Sequence, residues 1–188
     1  TANPQLAKDV VDNLGIKLGN MQIRKFADGE TFVQIEETAR NKDTYIIQPT
    51  GRPSSNESWM VLFCVIDALK RASAKRITAV IPYYGYSRQD RKNEPRVPIT
   101  AKLVANLLQA SGVDRVLALD LHAAQIQGFF DIPVDHMLSK NVFLEKIRKD
   151  LDISNAMVVS PDIGGVGRAR FIAKTLNLDI AIIDKRRD

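Results

Sequence analysis

Only one cysteine, Cys64, stands in the 188 residues, inside the apolar run MVLFCVIDAL, so no intrachain disulfide can form. That usage suits a reducing compartment, and the apolar surroundings read Cys64 as a packing thiol rather than a nucleophile. Aromatic residues make up just 6% of the chain, which leaves little stacking surface for nucleic-acid bases. No segment approaches the roughly 18 apolar residues of a membrane span, and the opening TANPQLAKDV lacks the apolar centre of a secretory signal. The expectation is a cytoplasmic protein with no membrane partner and no nucleic-acid partner. Two nucleotide-binding patterns are missing as well: there is no G-x-x-x-x-G-K-[ST], and Gly164, Gly165 and Gly167 do not complete G-x-G-x-x-G. A bound nucleotide must therefore be held without a P-loop. The lone cysteine and two histidines also lack a zinc-binding spacing.

What is present is a composition of 45% hydrophobic and 26% charged residues, enough for one full domain and part of another. A net charge of +5 favours an anionic partner, although the basic residues are scattered apart from RQDRK and the terminal DKRRD.

Alternation in TFVQIE, from Thr31 to Glu36, and apolar runs at TYIIQ, ITAVIPY, RVLALDLH, AMVVSPD and DIAIID predict strands, several of them buried on both faces. Helical periodicity falls between them: Pro4 to Leu14, Asn56 to Ala74, Pro98 to Gly112, Asn141 to Asp150 and Gly167 to Leu176. Strand–helix alternation of this length implies an α/β fold with a mostly parallel sheet and right-handed crossovers. Asp28-Gly29, between two short β-patterned pieces, predicts a hairpin turn. A boundary is expected near Leu138 to Lys140, giving one unit over 1–138 and the beginning of another over 139–188. Because the second series stops after two strands and two helices, the chain is expected to be a fragment of a longer protein.

In open parallel sheets ligands collect beyond the carboxyl ends of strands. AVIPYYGY delivers Arg88 and Gln89 there, VLALDLH delivers Asp120 and His122, MVVSPDIGG delivers Asp162, and IAIIDKRR delivers Asp184, Lys185 and Arg187. Each has a plainer reading. Arg88, Arg91 and Lys92 fit a solvated loop, His122 a satisfied core or surface histidine, and Asp120 and Asp162 caps on following helices. Asp90 reads equally as a site residue or a salt-bridge partner. Taken together, histidine, carboxylates and cations suit Mg²⁺ with phosphate groups.

The motifs FADGE, RITAVIPYYGYSRQDRK, PITAKLVANLL, DLHAAQIQGFFDIPVD, VVSPDIGGVGRAR and AIIDKRR resemble class I ribose-phosphate diphosphokinases, the PRPP synthetases, over essentially the whole chain. The resemblance implies a phosphoribosyltransferase-like three-layer fold, two such domains in tandem, and a homohexamer with active sites at a subunit interface. It implies transfer of the diphosphoryl group of ATP to the C1 hydroxyl of ribose 5-phosphate, with Mg²⁺, giving PRPP and AMP for nucleotide biosynthesis. Carried over by position, Phe26, Asp28 and Glu30 meet adenine from the adjacent subunit, Arg88, Gln89 and His122 hold ATP, His122 and Asp162 meet the Mg²⁺–ATP complex, and Lys185 and Arg187 open the catalytic loop. Arg40 and Gln127 match positions near a regulatory site, and His136 stands where the family usually has asparagine.

The family's Thr-Gly-Gly-Thr ribose 5-phosphate loop does not occur in these residues, so the chain alone is expected to be inactive. The alternative is a noncatalytic PRPP-synthetase-associated regulatory subunit, which would be expected to lose the positions that Arg88, Gln89, His122, Asp162, Lys185 and Arg187 retain. A phosphoribosyltransferase would share the fold without a reason for FADGE or SRQDRK, and a nucleic-acid module would leave the strand-end carboxylates unexplained.

Overall fold

The computed structural model describes residues 2–184 and divides into two compact units between Met137 and Leu138. In the first, helix α1 (Pro4–Leu14) begins where the Asn3 side chain accepts from the Leu6 N–H at 3.1 Å and Pro4 presets the first turn. A two-stranded antiparallel hairpin follows, β1 (Met21–Lys25) paired with β2 (Thr31–Ile35), Ile23 opposite Val33. Its turn falls at the expected Asp28-Gly29, where Gly29 has φ 91°.

The main sheet is wholly parallel, in the order β3 (Asp43–Ile47), β4 (Arg76–Ile81), β5 (Arg115–Leu119), β6 (Val134–Met137). Crossovers α2 (Ser55–Arg71) and α3 (Thr100–Ser111) connect the first three strands. Register places Ile46 beside Ala79 and Ala79 beside Val116. That face meets Leu62 and Ile66 of α2 and Val104 and Leu108 of α3 in one apolar cluster. Leu62, Ile66, Ile81 and Leu108 are fully buried, each contributing roughly 2–3 kcal/mol of transfer free energy. On the opposite face Tyr45, Thr78, Arg115, Leu117 and Asp135 line a cavity of about 280 Å³. The hairpin lies outside α2, with Val33, Phe63, Cys64 and Asp67 among the residues around a cleft of about 500 Å³. Cys64 is half-buried there, and desolvation raises its thiol pKa, in keeping with a packing role.

β6 has no counterpart among the expected strands. Its four residues, VDHM, set two adjacent polar side chains between two apolar ones, which is neither strict alternation nor an apolar run, and pairing with β5 is what makes them a strand.

The second unit contains α4 (Lys140–Asp150), β7 (Met157–Ser160), α5 (Val166–Leu176) and β8 (Asp179–Ile182), with β7 and β8 paired in parallel. Among the described residues no helix is long and apolar enough to cross a membrane.

Candidate active site at the strand carboxyl ends

Parallel pairing puts the carboxyl ends of β3 to β6 on one edge of the sheet, and the loops after β3 and β4 are stitched together there around Thr50. Beyond β3, the Thr50 N–H donates to the Tyr83 carbonyl at 2.9 Å, and its hydroxyl donates to the same oxygen at 2.8 Å. Beyond β4, the Gly85 N–H donates to Thr50 Oγ1 at 2.8 Å. Ser55, at the start of α2, donates through its hydroxyl to the Thr50 carbonyl at 2.7 Å. These bonds bring the two backbones so close that a Cβ on Gly85 would lie 2.2 Å from the Thr50 oxygen and 2.5 Å from Ser55 Oγ. Only glycine fits there.

The aromatics after β4 divide by role. Tyr84 is buried edge-to-face against Trp59, centroids 5.1 Å apart, and donates to the Ala101 carbonyl at 3.3 Å; burial pushes its phenol pKa well up. It anchors the loop and stays protonated. Tyr86 takes a positive φ of 66°, unusual for a bulky side chain, and its hydroxyl bonds Asn56 Oδ1. The chain then delivers Arg88 and Gln89 to solvent, with the Gln89 N–H donating to the Tyr86 carbonyl at 3.1 Å and its carbonyl accepting from the Ala101 N–H at 3.1 Å. Buried strand, aromatic anchor and exposed guanidinium thus form one rigid path.

After β5, Asp120 also adopts a positive φ, 42°, and His122 is exposed with no hydrogen-bond partner among the described residues. The core-histidine reading therefore falls. Asp120 does not cap the following 3-10 helix, Ala124–Phe129, whose N-cap is Ala123. The β4 and β5 loops are tied where Gln125 Nε2 donates to Asp90 Oδ2 at 3.2 Å. Asp90 is a bridge between loops, and among the described residues its partner is this amide rather than a cation.

The hairpin tip is preshaped too. Asp28 Oδ1 accepts from the Glu30 N–H at 3.2 Å, and Phe26 stands edge-to-face to Phe32 at 5.7 Å with the Arg24 guanidinium 4.0 Å from the Phe32 ring centre. Phe26, Asp28 and Glu30 are all exposed, and among the described residues no hydrogen bond or ion pair joins them to Arg88, Gln89 or His122.

In the second unit, Asp162 follows β7 and caps the short helix Ile163–Gly165, its Oδ1 accepting from the Gly165 N–H at 2.8 Å. The capping reading holds for that oxygen; the carboxylate itself is exposed. Ser160, fully buried, donates to the Asp162 carbonyl at 2.8 Å and fixes the turn. Lys185 and Arg187 lie outside the described residues. Among the described residues no group of three His, Cys, Asp or Glu side chains converges as a metal cluster.

The strand-end rule, applied to TYIIQPTG as it was to the other strands, would also have found Thr50, the residue on which two of the loops depend. Fold and site together define an α/β protein of the parallel-sheet type, its polar side chains gathered beyond the strand carboxyl ends. Residues 1–112 match the N-terminal domain of ribose phosphate pyrophosphokinase. The chain is 55% identical over 187 residues to a ribose-phosphate pyrophosphokinase of Maricaulis maris, covering all of this chain and 60% of the relative. It is 57% identical to that of Neisseria meningitidis serogroup A, over 99% of this chain and 57% of the relative. A crystal structure of phosphoribosylpyrophosphate synthetase from Mycobacterium smegmatis superposes with a TM-score of 0.92 at 43% identity, covering all of this chain and 63% of that one. The chain belongs to the ribose phosphate pyrophosphokinase family. It spans about 60% of the length of the curated relatives it matches.

Proposed function

We propose that this chain is part of a ribose-phosphate pyrophosphokinase that transfers the diphosphoryl group of ATP to the C1 hydroxyl of ribose 5-phosphate, giving PRPP and AMP. The observation that carries the reading is one edge of one sheet: Arg88 and Gln89 beyond β4 and His122 beyond β5, all exposed, on loops joined by Asp90 and Gln125. In this reading residues 1–138 are a phosphoribosyltransferase-like domain and residues 139–188 begin a second. The protein works as a cytoplasmic homohexamer with sites at subunit interfaces.

Each side chain has a task suited to its chemistry. Arg88 offers a planar, permanently charged fork to phosphate oxygens, and Gln89 adds uncharged donors. Phe26 presents a ring face to adenine, with Asp28 and Glu30 accepting from the base amino group. The exposed imidazole of His122 and the Asp162 carboxylate suit Mg²⁺, which takes few protein ligands and keeps phosphate oxygens and water. When bound, that ion supplies neutralisation of the triphosphate. Lys185 and Arg187 are assigned to stabilise charge on the diphosphate as it transfers. No protein nucleophile is required, because the sugar hydroxyl attacks the β-phosphorus in line and AMP leaves.

The test is ribose 5-phosphate-dependent AMP release by the full-length protein with ATP and Mg²⁺. Arg88→Ala should lower that rate by roughly 100-fold or more while the melting temperature stays near wild type. Full-length protein that assembles but releases no AMP would instead favour a noncatalytic regulatory subunit.

A further inference from the structure

Two backbone N–H groups decide where His122 stands, and both are held by β6. The Asp120 N–H donates to the Met137 carbonyl at 3.0 Å, the last bond of the β5–β6 ladder. The chain then turns through the positive φ of Asp120, which points the next N–H, that of Leu121, away from any strand partner. It is captured by a side chain instead: Leu121 N donates to His136 Nε2 at 3.0 Å. Leu121 is itself buried, so water does not readily replace that acceptor.

We propose that His136 is a positioning residue for His122, holding the Asp120–Leu121–His122 turn through the Leu121 N–H. The proposal rests on the functional reading above, in which His122 meets nucleotide, and adds how that imidazole is placed. Register explains why His136 can do this. It lies opposite Ala118, two residues before the turn, on the face of β6 that points toward the core cluster, where only a long side chain with a terminal acceptor reaches past the strand end. Because Nε2 accepts, the ring proton sits on Nδ1. An apolar residue of similar size would fill the same space and leave the N–H without a partner, so the contribution separates from packing.

The experiment compares full-length wild type, His136→Leu and His136→Gln by crystal structure and by steady-state kinetics. Gln places an acceptor oxygen near the position of Nε2. Expected is a changed Asp120 backbone and a displaced His122 in the Leu variant, with kcat lowered about tenfold or more. The Gln variant should keep the turn and stay within about threefold of wild type. A Leu variant that melts earlier but retains the turn and the wild-type kcat overturns the proposal and leaves His136 structural. If wild type releases no AMP, the functional reading fails by itself; the Asp120 and His122 positions in the two variant structures still decide the positioning claim.

Discussion

The two units are built from the same parts, parallel strands crossed by helices, yet hold them together differently. The first buries Leu62, Ile66, Ile81, Leu108, Val116 and Ile126 completely. The second has Leu144, Ala169 and Ala173 as its buried apolar side chains among the described residues, while Val142, Phe143, Leu151, Met157, Val159 and Ile163 reach solvent. A loop on the first unit is fixed by what packs beneath it, as Tyr84 fixes the loop of Arg88. Asp162 on the second is fixed by local bonds, from the Gly165 N–H to its carboxylate and from Ser160 to its carbonyl. Within these 188 residues, two side chains assigned to the same nucleotide stand on scaffolds of unequal local stability.

Glycine substitutions should separate the units most strongly. Gly85→Ala forces a Cβ onto the Thr50 oxygen and should cost about 3 kcal/mol or more, read as a lower melting temperature of the full-length protein. Gly167→Ala, in α5 with open space where the Cβ would go, should gain about 0.5–1 kcal/mol of helix stability. Loss at Gly167 with tolerance at Gly85 would reverse the contrast.

Core truncation should show the same order more weakly. Leu62→Ala removes a fully buried side chain amid packed neighbours and should cost about 3–5 kcal/mol. In the 188-residue chain, Leu144→Ala, beside exposed apolar residues that can close over the gap, should cost about 2 kcal/mol or less. Native-state hydrogen exchange on the 188-residue chain should show β4 amides opening only near the global stability and β7 amides well below it. Equal protection in the two strands would erase the distinction.

The smallest effect lies on the open sheet face. Arg115 grips Asp135 with two bonds, Nε to Oδ2 at 2.5 Å and Nη2 to Oδ1 at 2.7 Å, and the hydrogen bonds hold the carboxyl pKa below its ordinary value. A depressed carboxylate contributes stability that is present above its unfolded pKa and lost as pH falls through the folded one. Both side chains are more than a third exposed, so solvent screening keeps the contribution small. Asp135→Asn should therefore lower the melting temperature slightly at neutral pH, and the gap should close on acidification. A gap that widened toward acid pH would give the pair the wrong sign.

Long periodic segments were readable without coordinates. Helix α1 spans the expected Pro4 to Leu14, since asparagine, proline and a terminal glycine punctuate it locally, and Asp28-Gly29 marked its turn for the same reason. Arg88, Gln89 and His122 were legible because strand ends are. β6 was not, and neither were the roles of Thr50, Asp90 or His136, each of which depends on a partner distant in sequence: Tyr83 and Gly85, Gln125, and Leu121 respectively.

By itself the sequence determined the strand–helix alternation, the absence of a P-loop, and that Arg88, Gln89, His122 and Asp162 follow strand carboxyl ends. These follow from hydrophobic period and local turn chemistry, which act over a few residues. Tertiary structure alone decided the β3–β4–β5–β6 order, the close approach that reserves position 85 for glycine, and the capture of the Leu121 N–H by His136. Those are pairings across space, and a buried donor's need for an acceptor is met by whichever residue folding brings to it.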